Sequence, residues 1–129
     1  KIKANEVAVS ARKGVVNFYV YPENYEANSI DNIWGWKSKK IKVNSIKLSD
    51  FINEENIKNI ELLKIDCEGA EYEIINSLSK EDYKKIKNII LEYHKGKSDE
   101  IEYVLKDNDF KIHKSENSKE TGIIFAKKL

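Results

Sequence analysis

Ten consecutive residues, Leu62-Leu63-Lys64-Ile65-Asp66-Cys67-Glu68-Gly69-Ala70-Glu71, constrain this chain more than any other stretch. An apolar run ends abruptly in two carboxylates spaced by one residue. A glycine follows, and a helix-forming pattern opens at Glu71. This is how a parallel strand hands over to a helix in an open α/β sheet, where ligands sit just beyond the carboxyl ends of the strands. The run from Glu61 to Asp66 reads as a central strand buried on both faces. Asp66 and Glu68 are thereby placed where such folds do chemistry.

The flanking sequence supports one α/β domain over residues 1–129, a length that suits a single core. Asn5 to Ser10 and Val15 to Tyr21 read as a hairpin turning at Gly14, with Pro22 as the strand exit. Lys40 to Leu48 alternates as one or two short strands, and Ser49 is placed to cap a helical turn over Asp50 to Glu54. A helix is expected from Glu71 to about Ser77. Another starts at Ser79, with Asp82 completing a capping box. A second buried strand begins at Lys87 or Asn88 and ends in Glu92 and His94. A helix over Asp99 to Lys106 and closing strands at Phe110 to His113 and Gly122 to Lys127 follow. Alternating strands and helices predict a mostly parallel sheet with an antiparallel edge strand.

Composition excludes several classes. Hydrophobic residues make up 40% and charged residues 35%, a globular balance with a heavily charged surface. The formal net charge of +1 gives no electrostatic case for nucleic acid. No apolar run approaches the roughly 18 residues of a membrane span. A single cysteine forms no internal disulfide and points to a reducing compartment. With no apolar leader at the N-terminus, a cytoplasmic protein is the expectation.

Four polar side chains end the two buried strands: Asp66, Glu68, Glu92 and His94. Consecutive parallel strands usually neighbour each other, so these groups face one crevice. Strand alternation puts Asp66 and Glu68 on one face, and Glu92 and His94 likewise. Crowded carboxylates raise one another's pKa, and a histidine titrates near neutrality, so the set suits a general base. Oxygen ligands and one imidazole could also hold a divalent cation, but the spacing does not specify one and no metal is assigned. The bland alternative makes Asp66 and Glu68 solvated partners of the helix dipole. Cys67 points to the opposite face as an inert thiol. Trp34-Gly35-Trp36 either stacks on a ligand ring or folds over the core.

The ten-residue block resembles the signature L-L-K-I-D-[VC]-E-G-A-E of FkbM-type methyltransferases. Ile46 to Ile52 is similar to the family's T-L-D-D-L segment, with Ser49 in place of an acid. Ile89 to His94 resembles I-I-L-E-x-H, and Val7 to Val20 resembles the hairpin A-L-S-x-x-x-G-x-x-x-F. The resemblance implies a Rossmann-like class I methyltransferase that uses S-adenosylmethionine to methylate a substrate hydroxyl on a small molecule or glycan. It implies that Asp66, Glu68, Glu92 and His94 border the methyl-transfer crevice. It further implies that Val7 and Ala8 flank the adenine, with Asp66 completing what remains of the cofactor pocket.

The family's glycine-rich cofactor loop has no counterpart here. The five glycines are isolated, and none forms G-x-G. A truncated domain is therefore expected, lacking the N-terminal glycine-loop half and beginning at the family's third strand. It would be an incomplete methyltransferase. The alternative is a non-catalytic remnant that binds or assembles, with a sheet edge left open for homodimer formation. A carbohydrate-binding role for Trp34 and Trp36 is a further reading.

Overall fold

The computed structural model describes residues 2–32 and 34–129. Strands β1 (Ala8–Val9), β2 (Gly14–Val20) and β3 (Lys39–Ile46) form one sheet, in the order β1-β3-β2. Strands β4 (Leu63–Ile65), β5 (Asn88–Tyr93), β6 (Phe110–Glu116) and β7 (Gly122–Lys128) form a second, in the order β4-β5-β7-β6. Helices α1 (Leu48–Glu54), α2 (Glu71–Asn76), α3 (Lys80–Lys84) and α4 (Ser98–Asp107) fall between the strands, and a 3-10 turn covers Tyr25–Ala27.

The architecture is α/β with mixed sheets, not the mostly parallel sheet that alternation suggests. Among the described strands, β1·β3 and β4·β5 pair in parallel, and β2·β3, β5·β7 and β6·β7 are antiparallel. The physical reason is where the reversed strand sits. At an edge, β7 would make one antiparallel pair. Inserted between β5 and β6 it makes two, although β4, β5 and β6 still run the same way.

The expected N-terminal hairpin is also corrected. β1 and β2 do not pair with each other; β3 lies between them, with Ser45 opposite both Ala8 and Gly14. The turn after Ser10 passes round the end of β3. Two contacts fasten it there: the Ser10 amide donates to the Ile46 carbonyl at 3.1 Å, and the buried Ser10 and Ser45 hydroxyls meet at 2.7 Å. A two-residue β1 has too few backbone groups to sustain a hairpin, whereas β3 offers two complete edges.

β4 is an edge strand among the described residues, so its apolar run is not buried on both faces. Leu62 is 52% exposed and Lys64 exposed, while Ile65 is buried. Along β5, Ile89, Leu91 and Tyr93 are buried and their neighbours less so. That face meets Ile74, Ile75, Ile101 and Leu105 of α2 and α4 in the core. Ser79 and Asp82 form the expected capping box on α3. Ser49 does not cap α1; its hydroxyl donates instead to Asp82 at 2.7 Å, tying α1 to α3.

The β5–β7 pairing sets where β5 ends, and Gly122 is its tightest point. A Cβ there would lie 2.5 Å from both the Ser115 carbonyl and the Tyr93 hydroxyl. Backbone and a buried ring cannot both retreat. Gly122→Ala is therefore expected to destabilise the fold by about 1–3 kcal/mol, read as a lower urea midpoint at unchanged slope.

Candidate active site

β4 and β5 run side by side, with Lys64 opposite Ile90 and Ile65 opposite Leu91, so they end together. Both exits turn through left-handed backbone. After β4 the chain passes Glu68 at φ 55° and Gly69 at φ 114°; after β5 it passes Lys95 at φ 61° and Gly96 at φ 63°. Such a conformation at a non-glycine residue costs on the order of 1–3 kcal/mol and persists only where its surroundings enforce it. At Glu68 they do. The Ser29 hydroxyl donates to the Cys67 and Glu68 carbonyls at 3.1 and 2.8 Å. From the other side, the Glu71 carboxylate accepts from the amides of Gly69 at 2.9 Å and Cys67 at 3.2 Å.

This turn separates Glu68 from Asp66. Asp66 stays at the strand end and accepts from Lys64 at 2.7 Å. Glu68 swings to His94, its carboxylate 3.4 Å from Nε2. On the other side of the ring, Nδ1 lies 3.0 Å from Glu71 Oε1. The result is a line of three groups, Glu71–His94–Glu68. Its inner pair is almost dry, with side chains 2% and 4% exposed. The ring of Trp34 lies nearly perpendicular to the imidazole, 6.2 Å away.

The electrostatics follow from burial set against partners. Burial alone would lower the His94 pKa. The hydrogen bond and charge of Glu71, followed by the charges of Glu68 and Glu92, outweigh it and hold the imidazole above its ordinary 6.5. Glu71 is subject to the opposite balance: burial would raise it, but the bond to His94 and the amides of its own turn hold it below 4.5. Glu68 is raised, mainly by burial, with His94 opposing and the neighbouring acids adding to it. Burial, followed by the Glu71 charge, pushes the Cys67 thiol up, so it is inert near neutrality.

Glu71 is the residue the sequence reading passes over. An acid in the first turn of a helix is ordinarily taken as a dipole partner. The available signal is its place as the last acid of the block, after Gly69-Ala70, where its side chain can fold back over the turn. Glu92 is half-buried and, among the described residues, has no side-chain hydrogen bond; its charge still reaches His94, Glu68 and Lys64. No group of three or more His, Cys, Asp or Glu among the described residues is arranged to hold a metal ion.

Val7 and Ala8 line a cleft of about 180 Å³ with Glu6, Phe18 and Val43, and Asp66 is not among its lining residues. Sites that enclose a drug-sized ligand measure about 300–1,000 Å³. The acidic rim at Asp66 suits a cationic sulfonium, but the Val7–Ala8 cleft does not fit the whole of S-adenosylmethionine.

Paired strand ends carrying a buried, carboxylate-flanked histidine mark an α/β domain with an ionisable cluster at the ends of its strands. A family model described as Methyltransferase FkbM domain matches residues 1–112, and the chain belongs to that family. It is similar to Methyltransferase 1 of Beauveria bassiana (strain ARSEF 2860), 36% identical over 64 residues, covering 49% of this chain and 26% of that protein. It is similar to Methyltransferase sdnD of Sordaria araneosa, 31% identical over 83 residues, 57% of this chain and 32% of that one. A longer match, 27% identical over 108 residues, is to 31-O-demethyl-FK506 methyltransferase FkbM of Streptomyces tacrolimicus, covering 80% and 42%. The chain thus spans less than half the length of these curated relatives. No solved structure is significantly similar. No helix among the described residues is long and apolar enough to cross a membrane.

The Glu71–His94 pair makes stability depend on pH. His94 is raised, so its contribution is complete below 6.5 and lost as pH rises through the folded pKa. Glu71 is lowered, so its contribution is present above 4.5 and lost as pH falls through its folded pKa. The stability advantage over His94→Gln should therefore peak between those two values and shrink on either side. Glu71→Gln keeps an oxygen acceptor but removes the charge. The His94 pKa should fall, as read by NMR titration of the ring protons, with His113 as internal comparison.

Proposed function

We propose that this chain is the acid–base part of a Rossmann-like O-methyltransferase that uses S-adenosylmethionine and acts on a substrate hydroxyl. The observation that carries the reading is the Glu71–His94–Glu68 line at the shared ends of β4 and β5. A hydroxyl is a poor nucleophile until a base takes its proton. Glu71 accepts the Nδ1 proton and fixes the tautomer, leaving Nε2 to receive the proton of an acceptor hydroxyl. The imidazolium that results lies between two carboxylates, Glu71 and Glu68. S-adenosylmethionine, when bound, supplies the methyl group. The printed name of one relative places that protein's methyl transfer at an oxygen.

Asp66, at the exposed end of β4, is assigned to the cofactor side, with Glu92 adding to the acidic field. Val7 and Ala8 are proposed to flank the adenine in a fuller pocket. The free β4 edge is proposed to join whatever completes that pocket, a second copy of this chain included; exposed Leu62 and the unpaired backbone of the edge favour it. The lone Cys67 fits a reducing, cytoplasmic setting.

Calorimetry separates the roles. S-adenosylmethionine should bind the chain with micromolar to millimolar affinity. Asp66→Ala should weaken binding by about fivefold, the value of a lost charge contact, while His94→Gln leaves it unchanged. No heat at millimolar cofactor would overturn the cofactor assignment and leave a non-catalytic binding module. Light scattering should give the mass of a dimer at high concentration; a strict monomer removes the edge proposal.

A further inference from the structure

The segment between β2 and β3 brings Ser29 and Trp34 to the site and Asp31 to Lys95 at its rim, yet it also builds a cleft of its own. About 390 Å³ opens beside Tyr21, Glu23, Asn24, Trp36, Lys37 and Lys39, within the size range of sites for small ligands, about 300–1,000 Å³. One wall is Trp36, 50% exposed. Its ring is braced from two sides. Trp34 stacks on it at 5.3 Å and 21°, and Tyr21 meets it edge-on at 6.0 Å and 87°. Tyr21 is itself fixed, 2% exposed, with its hydroxyl donating to Asn32 at 2.6 Å. A large apolar ring held rigid with half its surface in water is a pre-organised stacking platform.

The rim supplies complementary chemistry. Neither Lys37 nor Lys39, both on the lip of the cleft, has a carboxylate within 4.0 Å among the described residues. Two lysines without acidic partners suit an anion. Glu23 and Asn24 offer acceptors and a donor suited to hydroxyl groups. The cleft is separate from the Glu71–His94–Glu68 cluster: none of that cluster lines it, and Trp34 packs against both Trp36 and His94, at 5.3 and 6.2 Å.

We infer that this cleft is a binding site for a sugar acid, a pyranose ring bearing a carboxylate. The apolar face of the ring lies on Trp36, the carboxylate faces Lys37 and Lys39, and ring hydroxyls meet Glu23 and Asn24. A flat aromatic acid would satisfy Trp36 and the lysines but leave the hydrogen-bonding rim unused. A neutral sugar would leave the lysines unused. The binding site does not rest on the methyl-transfer reading.

The test is direct binding, followed at the indole N–H signal of Trp36 by NMR, with glucuronate, glucose and benzoate as probes. Glucuronate should give a saturable shift, and glucose and benzoate should each bind about fivefold or more weakly, the value of one charged or polar contact. Trp36→Ala, at a half-exposed position, should fold normally by circular dichroism, and Trp34 should then report no binding. Lys37→Gln with Lys39→Gln should erase the preference for glucuronate over glucose while keeping stacking. No saturable shift with glucuronate at about 50 mM, beyond the weak-binding range, or equal response to all three probes, overturns the inference. Glucuronate binding without S-adenosylmethionine binding would leave the cleft standing and refute the methyl-transfer reading; the reverse would do the opposite.

Discussion

The contact between Glu71 and His94 is the constraint on which the rest of this structure turns. Two groups able to carry opposite charges sit almost out of water, 3.0 Å apart. Taking such groups out of water costs several kcal/mol each, and removing one partner of a buried pair typically costs about 3–5 kcal/mol. The pair is tolerable only because Glu71 also accepts the amides of Cys67 and Gly69. Those amides belong to the turn that leaves β4. One carboxylate therefore fixes the left-handed turn, the start of α2 and the orientation of the imidazole together.

That coupling explains why the site needs β4 and β5 to be neighbours. β4 supplies the turn and Glu71; β5 supplies His94. Only their parallel pairing brings the two exits to one side of the sheet. β7 then braces β5 from the other side through a register in which Tyr93 lies opposite Gly122, and that contact admits no side chain. The distance from Gly122 to the imidazole is thus bridged by a single residue of β5, so packing in the sheet is felt directly in the cluster.

The parts of this arrangement legible in the sequence are those carried by local pattern. β5, α2, α3 and α4 appear within a residue or two of their predicted bounds, because apolar period and capping chemistry are local signals. The Ser79–Asp82 box is one example. What the sequence does not show is pairing. Nothing in Val7 to Tyr21 says that β3 will lie between the two segments, and nothing in Gly122 to Lys127 says that β7 will be interior. Those outcomes depend on which edges are free once other strands have formed. At the site, alternation correctly makes His94 and Glu68 neighbours in one crevice, but it treats Glu68 as a continuation of the strand. The left-handed turn at Glu68 breaks that alternation, sending Glu68 to His94 and leaving Asp66 with Lys64. Glu71 is hidden for a different reason: its carboxylate folds backward, and a linear pattern registers only its helical position.

Trp34 joins the two halves of the functional reading. Its indole N–H is buried with no partner among the described residues, and an orphaned buried donor costs about 1–3 kcal/mol. A core could avoid that cost with a phenylalanine. The cost is offset if the large ring does something a smaller one could not. Here it does two things at once: it presents an edge to His94 and a face to Trp36. Low exposure around the imidazole strengthens its interactions with both carboxylates, since charges in a dry setting attract more strongly than in water. The same ring stiffens the platform in the neighbouring cleft. A single side chain therefore touches both the imidazole and the platform beside it, and loss of the ring should loosen the two together.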